Sequence, residues 1–234
     1  MTVDVLVLAA HPDDAEIGCG GTIVDLVSRG ARVAIVDMSR GEKGTLGTPE
    51  IRAGEAAAAA NVLGVAERID LGLPDAELRD DARALNAVVE QIRRLRPALM
   101  LGPTTVDIHP DHAETGRVAR RAFFHAGLAN FEPGLGPAHR PARVMFYAGN
   151  DLIQPTVCVD ISAHVAKKRA ALECYASQVT GSDAHRVRKL DVLERAEARD
   201  RYFGSLSGCQ AAEPFVADGG LSLPSLISLL PDRS

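Results

Sequence analysis

"VDVLVLAAHPDDAEIGCGGTIVDLV", residues 3–27, runs from a short apolar segment straight into a histidine, a proline and two aspartates. Apart from Asp4, residues 3–10 are apolar and rich in β-branched side chains, as in a parallel strand covered on both faces. Beyond the acidic turn, apolar residues recur at helical spacing over 16–30, and Gly30 is placed to end that helix. The stretch is therefore one strand–turn–helix unit of an open α/β sheet. In such sheets ligands bind outside the carboxyl ends of the strands, which is where this turn puts its ionisable side chains.

The same alternation continues along the chain. "RVAIVDM" (32–38) reads as a second strand, and 39–48 as a glycine-rich loop. Residues 49–64 outline a helix, with Thr48 as its cap, Pro49 in the first turn and Gly64 at its end. A strand over 67–72, a helix over 80–97 and a strand over 98–103 follow. This βαβαβαβ order predicts a three-layer, Rossmann-like, doubly wound α/β fold with a mostly parallel sheet and right-handed crossovers. Next come a helix over 113–127, a Gly- and Pro-containing loop over 127–141, and strands over 142–149 and 156–162. Residues 162–203 read as helical with a break at 180–183, and the pattern from 204 onward assigns no element. The expectation is one domain over 1–234 with a C-terminal helical and loop extension.

A second cluster, "HPDH" at 109–112, lies just past the fourth strand, so both clusters open onto one edge of the sheet. Imidazole and carboxylate together suit a borderline divalent cation, most often zinc. A catalytic zinc takes three protein ligands and keeps one position open. His11 and Asp14, three apart across a proline-fixed turn, can both face a metal, and His112 completes the set. Asp13 then falls beside the open position as a general base for water activated by the cation. His109 is left to stabilise an oxyanion or protonate a leaving amine, with Asp111 near enough to orient it. These parts suffice for metal-assisted amide hydrolysis. Either cluster alone could be a turn capped by aspartate; two at one edge argue for a site.

Composition narrows the alternatives. A formal net charge of −5, with no long basic run, speaks against a nucleic-acid surface. No stretch reaches the length of a membrane span, and the N-terminus lacks a signal-like segment, so a cytoplasmic protein is expected. Cys19, Cys158, Cys174 and Cys209 form no Cys-x-x-Cys pair and read as reduced thiols. "GCGGT" (18–22) resembles a dinucleotide fingerprint but starts seven residues past His11, so its glycines read as permitting close helix packing. A non-catalytic nucleotide-binding module is the rival class. His125, His139, His164 and His185 read as surface or structural.

With "HPDDAEIGCGGT" followed by "HPDH" about a hundred residues later, the chain resembles the LmbE/PIG-L family of zinc-dependent N-acetylglucosaminide deacetylases. "SRGEKGTLGTPEIRAGEA", "CYASQ" (174–178) and "RYFGSLSGCQAAEPF" (201–215) bring it nearest the bacillithiol-biosynthesis branch. The resemblance implies zinc on His11, Asp14 and His112, Asp13 as base, and His109 with Asp111 at the tetrahedral intermediate. It further implies Arg52 near the substrate, deacetylation of N-acetyl-α-D-glucosaminyl L-malate, and a homo-oligomer. Another N-acetylglucosaminyl conjugate or a chitooligosaccharide is the alternative substrate, with specificity expected from 39–48, 127–141 and the tail.

Overall fold

The computed structural model describes residues 2–179 and 191–221. The break expected at 180–183 and His185 lie outside these residues. Seven strands form one sheet in the order β3-β2-β1-β4-β5-β7-β6. They are β1 (Val5–Ala9), β2 (Val33–Asp37), β3 (Glu67–Asp70), β4 (Leu99–Pro103), β5 (Arg143–Tyr147), β6 (Val157–Asp160) and β7 (Ala212–Ala217). All five strands from β3 to β5 run parallel, and β7 pairs antiparallel with both β5 and β6. The tail therefore holds a strand that its punctuated sequence does not announce: "AEPFVA" contains Pro214 and a fully buried Glu213.

Alternation along β1 makes the three layers. Leu6, Leu8 and Ala10 share one core with Leu85, Val88 and Ile92 of α3 (Ala82–Leu95) and Val118 and Ala122 of α4 (Pro110–His125). Val5, Val7 and Ala9 face the other core, with Ile23 of α1 (Asp14–Ser28) and Ala56, Ala59 and Leu63 of α2 (Pro49–Leu63). On this second side lie α5 (Val165–Glu173), α6 (Ala176–Val179) and α7 (Val192–Ser207). The helix caps follow the expected chemistry: Thr48 accepts from the Ile51 amide, and Gly64 ends α2 at φ 80°. Helix α4 starts earlier than its apolar pattern suggests, because Pro110 fits the first helical position and His109 serves as N-cap.

Helix α1 is kinked. Cys19 leaves helical geometry at φ −149°, ψ 25°, which frees amides in the next turn. Glu213 of β7 takes two of them, from Gly21 at 2.8 Å and Thr22 at 2.7 Å. The buried ammonium of Lys168 pairs with the same carboxylate at 2.7 Å and with Asp200 at 2.5 Å. Close packing explains the glycines: a Cβ on Gly18 would stand 2.2 Å from the Tyr147 ring, and one on Gly21 2.8 Å from Ile161. Two amides of this glycine-rich stretch are taken by the chain's own glutamate.

Replacing Glu213 with alanine leaves the buried Lys168 ammonium with Asp200 alone of its two carboxylates and uncaps the second half of α1. The expected loss is about 3–5 kcal/mol of folding stability, the range for breaking a buried charge pair, read by urea denaturation of the metal-free chain.

Candidate active site

Strand order answers how the two clusters meet. β1 and β4 are hydrogen-bonded neighbours, with Val5 opposite Leu99 and Val7 opposite Leu101. The chain winds from β1 outward to β3, then returns to the other side of β1 as β4, making this pair the topological switch point. His11–Asp14 leaves β1 into α1, and His109–His112 leads from β4 into α4. The three imidazoles converge, with ring centroids 4.9 Å apart for His11–His109, 5.5 Å for His11–His112 and 4.6 Å for the stacked His109–His112 pair.

The Asp14 carboxylate stands between the first and last of these rings. Its Oδ2 is 3.3 Å from His11 Nδ1, and its Oδ1 is 3.1 Å from His112 Nε2. The far nitrogen of each ring meets another carboxylate. His11 Nε2 lies 3.1 Å from Asp75 and 3.3 Å from Asp111, and His112 Nδ1 lies 3.4 Å from Asp107. Metal-ligating histidines characteristically give their second N–H to such a group, which fixes the tautomer. The donor set therefore fits a divalent cation held by His11, Asp14 and His112. His109 also comes within reach, since its ring, His11 and His112 offer nitrogens within 4.8 Å of one another. Its Nδ1, however, accepts the Asp111 amide at 3.3 Å as the cap of α4.

The field of the cage has one sign. Asp75 and Asp107, though desolvated, are held down at about 2 by the histidines and backbone amides they accept from. Burial opposes charge on His112, yet Asp14 and Asp107 push its ring up to about 10. Without a cation the carboxylates keep their imidazoles protonated, and a metal entering the cage displaces those protons. Asp13 differs. Burial, reinforced by Asp14, pushes its carboxyl up to about 7 against the opposing pull of Arg52 and His11. That is the range suited to a general base near neutral pH.

Asp13 is also conformationally singular, at φ 109°, ψ −26°, in the left-handed region that favours glycine. Arg52 sits behind it, donating to the Pro12 carbonyl at 2.8 Å and the Gly41 carbonyl at 3.0 Å, with Asp13 at 3.8 Å. Arg52 is thus a buried prop for the turn as well as a cavity-lining cation. The Asp111 carboxylate faces His11 and the Ala76 amide rather than the His109 ring, so its expected polarising contact is replaced by its backbone N–H.

A cavity of about 640 Å³ opens over these groups, within the range of small-molecule sites. Its walls come from the 39–48 loop, the turn after β5 (Gly149, Asn150, Leu152) and α7 (Arg195, Arg199, Tyr202). None of residues 127–141 lines it. That loop is gathered instead by the buried Arg93, which donates to the carbonyls of Ala126, Leu128, Phe131, Glu132 and Gly136. His125, His139 and His164 pair with Arg121, Pro97 and Asp25 away from the site. Asp75, Asp107 and Asn150 meet the site histidines from outside the two motifs. Only Asp107, two residues before His109 in "VDIHPDH", carried a sequence signal.

Residues 6–123 match the family model described as PIG-L, GlcNAc-PI de-N-acetylase. The diacetylchitobiose deacetylase of Thermococcus kodakarensis is 32% identical over 228 residues, covering 89% of this chain and 80% of that protein. A 1D-myo-inositol 2-acetamido-2-deoxy-alpha-D-glucopyranoside deacetylase of Salinispora arenicola is 28% identical, covering 75% of this chain and 76% of the relative. The crystal structure of the conserved protein TT1542 from Thermus thermophilus superposes with a TM-score of 0.86 at 38% identity, over 95% of this chain and 98% of that one. Fold, site and relatives together define a metal-dependent hydrolase of amide bonds. The chain belongs to the PIG-L de-N-acetylase family.

Alanine at His11, Asp14 or His112 is expected to leave the folded chain unable to retain stoichiometric zinc after dialysis. Metal analysis of each variant beside the parent protein checks this, and full retention by any of the three removes that residue from the ligand set.

Proposed function

We propose that the chain hydrolyses the N-acetyl group of N-acetyl-α-D-glucosaminyl L-malate with zinc as cofactor, a step of bacillithiol biosynthesis. The supporting observation is how charge divides within the cavity. Every carboxylate lining it, from Asp13, Asp14 and Asp75, stands at the cation cage. Arg52 stands against Asp13, and farther along the walls the charged groups are Lys43, Arg195 and Arg199. Such a lining suits a sugar whose aglycone carries carboxylates. Arg52 has its Nε enclosed and keeps the second N–H of each terminal nitrogen beyond its two carbonyl bonds, and these two are the candidates for gripping the malate.

When bound, zinc supplies Lewis acidity toward the acetamide carbonyl and acidifies water at its open position. Asp13 takes the proton from the attacking water. His109 accepts the Asp111 amide on Nδ1, so the neutral ring carries its proton on Nε2 and donates it to the oxygen on which negative charge develops. Burial lowers the basicity of His109 and keeps that neutral form populated. Asp13 then returns its proton to the leaving nitrogen, giving acetate and a free glucosamine amine.

The reading includes a cytoplasmic homo-oligomer of one domain, for which exposed Val106, Ile108 and Leu206 offer apolar surface; among the described residues no helix is long and apolar enough to cross a membrane. A neutral N-acetylglucosaminyl substrate is the second reading, favoured by the half-exposed Tyr202 at the cavity wall, a face on which a sugar ring can stack.

Acetate release from the malate conjugate, N-acetylglucosamine and diacetylchitobiose, measured as purified, after chelation and after zinc is restored, separates the readings. A zinc-dependent preference for the malate conjugate is expected, and preference for the neutral sugars refutes the proposed substrate. Asp13→Asn should retain zinc yet lose about 10²–10⁴-fold in kcat, the usual worth of a general base. Arg52→Ala should raise KM for the malate conjugate more than for N-acetylglucosamine.

A further inference from the structure

Asp107 is gripped from a part of the chain that neither motif includes. Residues 149 and 150, on the turn leaving β5, close over its carboxylate. The Asn150 backbone N–H donates to Oδ2 at 2.7 Å, and the side-chain Nδ2 donates to Oδ1 at 3.1 Å. That Nδ2 stands 3.3 Å from His112 Nδ1, the nitrogen that Asp107 Oδ1 faces at 3.4 Å. The other end of the amide is fixed as well, since Asn150 Oδ1 accepts from Arg195 of α7 at 2.9 Å. A guanidinium only donates and an ionised carboxylate only accepts, so the two partners dictate which way round the amide sits.

The preceding residue shows how tight the approach is. A Cβ on Gly149 would lie 2.3 Å from Asp107 Oδ2 and 3.0 Å from His112 Nδ1. The turn after β5 is thus moulded onto the Asp107–His112 pair. Asp107 in turn accepts the His109 amide at 2.7 Å, so a single carboxylate indexes both histidines of the second motif.

We propose that Asn150 is a positioning residue of the metal site. It orients Asp107 so that the carboxylate takes the His112 Nδ1–H, which leaves Nε2 unprotonated and aimed at the cation. Through Arg195 the same amide couples the site to α7. The inference rests on His112 being a ligand. Its distinctive consequence is that a side chain outside the ligand set governs metal affinity through donation to Asp107.

The test is zinc affinity, measured by competition with a chromophoric chelator on the full chain, beside the thermal stability of the metal-free protein. Asn150→Ala should weaken zinc binding by about 10–100-fold, the range for losing an outer partner of a ligand. Asn150→Asp keeps the size and the acceptor for Arg195 but sets a second carboxylate against Asp107, so it should bind zinc no better than the alanine variant. If Asn150 only braces the turn, the aspartate restores parental affinity, or the alanine lowers stability with zinc affinity unchanged; either result overturns the proposal. Should the alanine variant fail to fold, Asn150→Ser, which keeps one donor, must still bind zinc less tightly than the parent for the proposal to stand. Zinc retained by His112→Ala overturns the ligand reading beneath it. Zinc lost there but kept at full affinity by Asn150→Ala overturns this inference alone.

Discussion

Adjacent parallel strands lie about 4.8 Å apart, so whatever follows β1 and β4 must share the same small volume. Here β1 runs through a turn that contains Pro12 into α1, and β4 runs through residues 104–109 into α4, whose first residue is Pro110. Two helix N-termini, the positive ends of their dipoles, therefore face one spot, and both place an aspartate there. Asp14 and Asp111 gain from that field, and their charge keeps His11 and His112 in place. The cage follows from sheet topology first and from the identity of the side chains second.

The half of the chain that carries both motifs does not complete the site. Glu213, on the antiparallel strand β7, caps the kink in α1 a short way beyond Asp14. Arg199 of α7 reaches the carbonyls of Ala148 and Gly149 and, within the kinked helix, that of Ile17. It also meets Asp200, and so ties the buried cluster of Lys168, Asp200 and Glu213 to the site-bearing turns from two directions. A buried polar network of this kind is costly unless every member is paired, and it links α7 and β7 to α1 and to the turn after β5.

Much of the fold could be read in the sequence because parallel strands buried on both faces leave continuous apolar runs, and the helices between them carry ordinary caps. β7 escaped because its inward Glu213 is a buried charge, satisfied by Lys168 and two amides that lie roughly 45 and 190 residues away in sequence. Local patterning holds no sign of such partners. The cluster of candidate ligands was legible because His11, Asp14, His109 and His112 fall within two four-residue motifs. Asp75 and Asn150 were not, since each arrives singly on a loop and acquires meaning only from the strand beside it. Asp111 shows a subtler limit. Proximity in sequence to His109 suggested one partner, but the first turn of α4 points its side chain to His11 and leaves its backbone amide for His109.

Asp13 holds a backbone conformation that a glycine would adopt without strain, and such positions store about 1–3 kcal/mol in non-glycine residues. Selection for stability alone would thus push this position toward glycine, which relaxes the turn and deletes the carboxylate with it. Retaining aspartate means that the folded state is held slightly uphill at the point where the proposed base stands. The surrounding props, Arg52 above all, are then the features that let an activity-bearing residue persist against the conformational preference of its own backbone.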